Sequence, residues 1–132
     1  MLGELLFETT GKRIVRRLLS TNPLSVEVSF EDSGKMLGGD CTGLGTYTSE
    51  VKPDGTIYGE GHGAVFSQEG ELVTWQGTGT GKFKERGAVS YRGSIHYSTT
   101  SQKLARLNGA VGVFEFETDP DGKTTSKIWE WK

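Results

Sequence analysis

Ile57-Tyr58-Gly59-Glu60-Gly61-His62-Gly63-Ala64-Val65-Phe66 and Leu72-Val73-Thr74-Trp75-Gln76-Gly77-Thr78-Gly79-Thr80-Gly81-Lys82-Phe83 are the two runs whose reading decides the fold. Glycine takes alternate positions in both, and a period of two is that of a β-strand, so each glycine trio lies on one face of a sheet. The same faces carry Ile57 and Val65 in the first run, and Val73, Trp75 and Phe83 in the second. Glycine has no side chain to pack and weakens a strand. A glycine row on an apolar face therefore means tight curvature, or a gap that something else fills.

Working outward, the whole chain of 132 residues reads as a single domain, 1–132, long enough to bury a core without disulfides or metals. Glycine is the compositional outlier at 20 residues, with only 3 prolines and no collagen period, which points to an all-β chain with bends and tight turns. Turn signatures recur at Thr10-Gly11-Lys12, Asp32-Ser33-Gly34-Lys35, Pro53-Asp54-Gly55-Thr56, Gln68-Glu69-Gly70-Glu71, Glu85-Arg86-Gly87 and Pro120-Asp121-Gly122-Lys123. Between them lie alternating segments over 4–9, 13–19, 24–31, 41–51, 57–66, 72–83, 88–99, 110–118 and 125–131. Short hairpins joining consecutive strands make an antiparallel up-and-down meander. Closing it into a barrel of eight or nine strands removes the exposed edges. Ser101 to Gly109 breaks the rhythm, with Leu104 and Leu107 three apart and Asn108-Gly109 as a stop, and reads as one short helical turn capping a barrel end; a strand running on into Ala110 is the alternative.

With the glycine faces turned inward, Val26, Val28 and Phe30, then Gly43, Gly45, Tyr47 and Val51, then Val89, Tyr91, Gly93, Ile95 and Tyr97, then Gly112, Phe114 and Phe116 complete an apolar and aromatic lining. The candidate ligand-binding residues are Tyr47, Gly61, Trp75, Gly79, Tyr91, Gly93, Ile95, Tyr97, Phe114 and Phe116. The expected ligand is a small apolar or aromatic molecule. Tryptophans at 75, 129 or 131 filling the same space give the competing, packed interior. With Gly61, Gly79 and Gly93 side by side on an open inner wall, Gly79→Leu is expected to melt like the wild type and to lose ligand.

Chemical candidates are few. Glu60, Arg92 and Glu115 are candidate polar anchors if their faces turn inward; a cross-strand pair of Arg92 with Glu60 or Glu115 on the outer wall is the alternative. His62 and His96 are the only histidines and show no metal-ligand spacing, so no metal and no cofactor are expected. Cys41 has no local feature that lowers a thiol pKa. The alternating glycines lack the helix and the Lys-Ser/Thr ending of a phosphate loop.

Balanced charge, 15 basic against 17 acidic residues, disfavours nucleic acid; the densest basic run, Lys12 to Arg17, alternates with apolar residues like an exposed or edge strand. A lone cysteine and the lack of a leader or long apolar run make a reducing, cytoplasmic setting the expectation, with no membrane partner. The outward aromatics Tyr58 and Phe66 lead to an expected homodimer or other homo-oligomer.

The tracts Gly45-Thr46-Tyr47-Thr48, Pro53 to Gly61, Tyr91-Arg92-Gly93-Ser94, Leu104 to Gly109, Phe114-Glu115-Phe116 and Trp129-Glu130-Trp131-Lys132 resemble a family of small uncharacterised bacterial and archaeal β-barrel proteins. More distantly the pattern is similar to allene oxide cyclase-like and calycin-like barrels. The resemblance implies a barrel, and the distant one implies hydrophobic ligands that are bound or cyclised; neither carries over a catalytic residue. Three functions follow as expectations: a binding barrel first, an isomerase or cyclase with an apolar pocket and one ionisable group inside it second, a structural oligomer-forming protein third.

Overall fold

The computed structural model describes residues 2–132 as eight antiparallel strands: β1 (Leu2–Thr21), β2 (Leu24–Met36), β3 (Gly39–Val51), β4 (Ile57–Ser67), β5 (Leu72–Phe83), β6 (Val89–Thr99), β7 (Val111–Thr118) and β8 (Lys123–Trp131). Each pairs with the next, and β8 returns to β1, so the sheet closes into a barrel in chain order. The meander, the closure and the inward glycine faces are those expected from the period-two pattern.

Four of the expected turn glycines, Gly55, Gly70, Gly87 and Gly122, adopt φ values between 83° and 89°, the left-handed region that glycine enters without strain. The other two are not in turns. Gly11 lies inside β1 and Gly34 inside β2, so the segments expected at 4–9 and 13–19 are one continuous strand, and the β2–β3 reversal falls at Leu37-Gly38. Both glycines serve close approach instead. A Cβ on Gly11 would lie 2.0 Å from the carbonyl oxygen of Glu31, and one on Gly34 would lie 2.1 Å from that of Glu8. Only glycine lets β1 and β2 press together there as the wall bends.

β1 pairs with β8 only as far as Lys12↔Lys123, whereas its pairing with β2 runs on to Thr21↔Leu24. The β1–β2 hairpin therefore stands beyond the point of closure at one end of the barrel. That end also carries the short 3₁₀ turn Glu85–Gly87, which buries none of its residues. The opposite end is plugged. A second 3₁₀ turn, Ala105–Gly109, sets Leu107 and the preceding Leu104 into a cluster with Leu6, Met36, Val65, Val73 and Tyr97. Its entry residue is Leu104 and not Ser101; Ser101 Oγ accepts from the Leu104 amide at 3.3 Å and donates to Glu71.

The glycine rows are the beds on which the interior rings lie. Cross-strand pairing aligns Gly59, Gly79 and Gly93 in one row, Gly61 with Gly77 in the next, and Gly45 with Gly63 and Trp75 in a third; Gly61 is thus not beside Gly79, as the sequence led us to expect. A Cβ on Gly63 would lie 2.5 Å from the Trp75 indole, one on Gly81 2.7 Å from Tyr91, and one on Gly93 2.8 Å from Phe114. Phe83 departs from the expected lining: it lies at the rim, 52% exposed, because β5 outruns the closed part of the wall.

The open-wall expectation for Gly79→Leu falls with this geometry, since a Cβ there already lies 2.9 Å from the Arg92 carbonyl oxygen and 3.1 Å from Phe114. Gly93→Ala is the sharper test, because its Cβ would meet the Thr78 carbonyl oxygen at 2.0 Å, an atom of backbone that cannot swing aside. Urea denaturation should show Gly93→Ala losing about 1–3 kcal/mol or more. A wild-type midpoint would mean that the bed is not tight.

Candidate functional site

Between the leucine plug and the hairpin end, the rings leave a cavity of about 100 Å³. Phe30, Tyr47, Trp75, Tyr91, Phe114 and Phe116 form its aromatic wall, with Phe7, Val65, Ile95, Tyr97 and Ile128 toward the plugged end. The rings hold one another by tilted and edge contacts: Phe30 and Phe116 have centroids 5.3 Å apart, Tyr47 and Phe116 5.7 Å, Tyr47 and Tyr91 5.8 Å. Such pairs contribute roughly 0.5–1.5 kcal/mol each beyond the area they bury, so this wall is preformed.

Of the residues singled out in the sequence, Tyr47, Gly61, Trp75, Gly79, Tyr91, Ile95, Tyr97, Phe114 and Phe116 all line the cavity. Gly93 sits behind Phe114, as part of its bed. The candidate polar anchors do not turn inward. Arg92 is on the outer wall, donating from Nη1 to Glu117 at 2.6 Å with Glu115 at 3.9 Å from Nε, and Glu60 and Glu115 are exposed. The reason is parity, since each follows an inward residue: Tyr91, Gly59 and Phe114. His62 and His96 are exposed too, each facing Gln76 from opposite sides in the register, hence two strands or roughly 10 Å apart. Among the described residues, no group of three His, Cys, Asp or Glu side chains is placed to hold a metal.

The ionisable group inside is Asp32. Read from the sequence as the start of a hairpin turn, it continues the inward series Val28, Phe30, Asp32, Gly34 and Met36 of β2. Gly43 across the ladder leaves it room, for a Cβ there would lie 2.6 Å from Asp32 Oδ1, and Thr9 donates from Oγ1 to Asp32 Oδ2 at 3.0 Å. Among the described residues no cation compensates its charge. Burial pushes the Asp32 carboxyl above its ordinary pKa, and the Thr9 hydrogen bond only partly offsets this. Cys41 is buried in the cluster at the plugged end, where burial first, and the nearby Asp32 charge second, push its thiol up to about 11 and disfavour the thiolate.

Three tyrosines bring hydroxyls to the same interior. Tyr91 shares a hydrogen bond with Ser49 at 2.5 Å. Tyr47 is held well above the usual phenol range by burial and then by Tyr91, while the charges of Arg13 and Arg16 act in the other direction. Tyr97 stacks on Phe7 with centroids 5.1 Å apart, and its buried hydroxyl has no hydrogen-bond partner among the described residues. A buried unsatisfied donor costs roughly 1–3 kcal/mol, which is a reason to look for the group that satisfies it. The lumen is therefore apolar and aromatic, with one carboxyl and one unpartnered phenol.

Solved structures with this architecture come from distant sequences. A protein with unknown function from Clostridium acetobutylicum matches with a TM-score of 0.84 at 15% identity, over 96% of each chain. A conserved protein of unknown function from Rhodopseudomonas palustris matches at 0.81 and 12% identity, over 98% of this chain and 97% of that one. An enzyme from Penicillium herquei matches at 0.69 and 16% identity, over 96% and 92%. These likenesses show the fold: an eight-stranded barrel that recurs in small bacterial proteins of unknown function. No family model and no curated protein matches the sequence.

The Asp32 environment predicts a pH dependence with a definite sign. Because the folded-state pKa is raised, the folded protein binds this proton more tightly than the unfolded chain does; the contribution of Asp32 to stability is greatest below the ordinary value of 3.8 and falls as pH rises through the interval up to the raised value. Asp32→Asn keeps the shape and the Thr9 contact but cannot ionise. Its melting temperature should exceed that of the wild type at pH 7, and the gap should close near pH 3. A gap of constant size would assign it to packing instead.

Proposed function

We propose that the protein binds a small apolar or aromatic molecule inside the barrel, with a polar atom of the ligand satisfying Tyr97. The observation that carries this reading is the buried, unpartnered Tyr97 hydroxyl at the edge of an aromatic cavity. The volume of about 100 Å³ sets the ligand's scale. A dry cavity of ~150 Å³ holds benzene, so one ring enters here with a small rotation of the half-buried Trp75 or Phe114, and a two-ring body does not. Titration calorimetry with neutral one-ring compounds bearing a hydrogen-bond acceptor, such as benzamide, should show binding that Tyr97→Phe weakens about tenfold. Heats that Tyr97→Phe leaves unchanged would place the ligand elsewhere.

A second reading, an isomerase- or cyclase-type enzyme, is favoured by Asp32. A carboxyl of raised pKa against an apolar cavity is the group that proton transfer at a bound ligand requires, with Tyr97 as a hydrogen-bond donor. The enzyme from Penicillium herquei shows that the barrel architecture is compatible with catalysis, and no more than that. Asp32→Asn separates the readings. It leaves binding of a purely apolar ring intact in both and abolishes turnover in the second.

A homo-oligomer remains part of the proposal. Leu44, Phe66 and Leu72 are exposed on neighbouring strands of the outer wall, with Tyr58 further along β4. Sedimentation at micromolar concentration should return at least a dimer mass, and a monomer would remove this element while leaving the cavity reading untouched.

A further inference from the structure

The mouth of the barrel carries two arginines that the strand period alone would send to opposite faces. Residues three apart on a regular strand point opposite ways. The register of β1 against β2, however, slips between Arg13 and Val15: Arg13 stands opposite Phe30, Val15 opposite Ser29, and Arg16 opposite Val28. Phe30 and Val28 are buried inward residues, so the slip brings Arg13 and Arg16 to the lumen side together, while Ile14 and Val15 are left exposed. A β-bulge at a barrel rim re-aims side chains in this way.

The cross-strand rows show which inward residues each arginine neighbours. Arg13 lies in the row of Phe30, Gly45, Gly63 and Trp75; Arg16 lies in the next row toward the hairpin, with Val28 and Tyr47. The Arg13 amide donates to the Gly122 carbonyl at 2.7 Å, and its guanidinium lies against Gly122, where a Cβ would sit 3.2 Å from Nη2. It therefore lies just inside the mouth, where β1 meets the β7–β8 turn beside it. Both charges bear on the Tyr47 phenol. Among the described residues neither arginine has an ion pair, whereas Arg17, Arg92 and Arg106 are each matched by a glutamate.

We propose that the lumen takes an aromatic carboxylate, ring first, whose carboxylate is held at the mouth by Arg13 and Arg16. This rests on the ring-binding reading above and specifies its ligand class, leaving a polar substituent on the far side of the ring to satisfy Tyr97. Two features fix the orientation. Asp32, two residues deeper than Phe30 on β2, repels an anion from the far end, and the guanidinium forks offer the planar, bidentate geometry that a carboxylate fits. Arg13 stands in the row of Phe30 and Arg16 in the row of Val28, two residues or about 7 Å further along β2, a distance that a short side arm spans.

The test compares trans-cinnamate with its neutral counterpart cinnamamide by calorimetry at low salt, on the wild type and on the Arg13→Gln/Arg16→Gln double variant. Wild type should bind cinnamate at least tenfold more tightly than cinnamamide, and the double variant should lose that preference while holding cinnamamide as before. Arg16→Gln alone, at an exposed position, serves if the double variant loses its fold, and should lose part of the preference. Equal affinities in the wild type, or a preference that survives the substitutions, would overturn the proposal. Cinnamamide binding without any gain for cinnamate leaves ring binding standing and removes the arginines; failure of both to bind removes both.

Discussion

Steric exclusion between ring and wall is the constraint on which the rest of this barrel depends. A wall of eight strands encloses a space about as wide as the side chains that fill it, and here the filling side chains are rings. Phe30, Tyr47, Trp75, Tyr91, Phe114 and Phe116 all project inward. They fit because the wall facing them has been stripped to glycine, as where Gly45 and Gly63 lie under Trp75 and Gly59 and Gly81 under Tyr91. Large side chains set against glycines on the same and neighbouring strands also explain why a cavity remains at all. Rigid planar rings held edge to face cannot collapse into the last gap as leucines would, and leucines do close the plugged end, where Leu104 and Leu107 are buried with Leu6.

The same constraint accounts for how much could be read in the sequence. Alternation is a local property, so the strands from β3 to β7, their inward faces and nine of the ten candidate cavity residues followed from counting by two. What a glycine is for is not local. Gly55 and Gly34 sit in equally turn-like tetrapeptides, yet one adopts φ 88° and the other stands in an extended strand against the Glu8 carbonyl. The difference lies in which strand passes nearby. Misreading Gly34 hid Asp32, the one carboxyl in the lumen, although continuing the series Val26, Val28, Phe30 by one step would have placed it there. The arginines were hidden for another reason: a bulge adds a residue without changing composition, so an alternating basic run gives no sign that Arg13 and Arg16 share a face.

Polarity in the lumen is graded along the axis. At the mouth are two unpaired guanidinium groups beside Tyr47; in the middle are rings on glycine; deeper are the Tyr97 hydroxyl and the Asp32 carboxyl with its Thr9 donor. The outer wall shows the opposite economy, with Arg92, Glu115 and Glu117 matched to one another in water, where such pairs are worth little and imply no site. Charge in contact with partners is structural here. Inside, by contrast, the Asp32 carboxyl and the Tyr97 hydroxyl have no ion-pair partner among the described residues.

That isolation links ligand chemistry to the protonation of Asp32. Among the described residues nothing cationic offsets its burial and Thr9 offsets it only in part, so a group that enters the cavity is able to shift its pKa. A ligand donating a hydrogen bond, a phenol or an amide N–H, stabilises the carboxylate and would draw the raised pKa back down; a ligand that only accepts favours the protonated acid and would push it higher. Linkage is reciprocal, so affinity for the donor rises as pH rises through the raised pKa and affinity for the acceptor falls. An aromatic wall cannot by itself separate two rings of equal size that differ in one polar atom. A carboxyl whose pKa is raised by burial, with Thr9 offsetting this only in part, can, by the proton that it keeps or gives up.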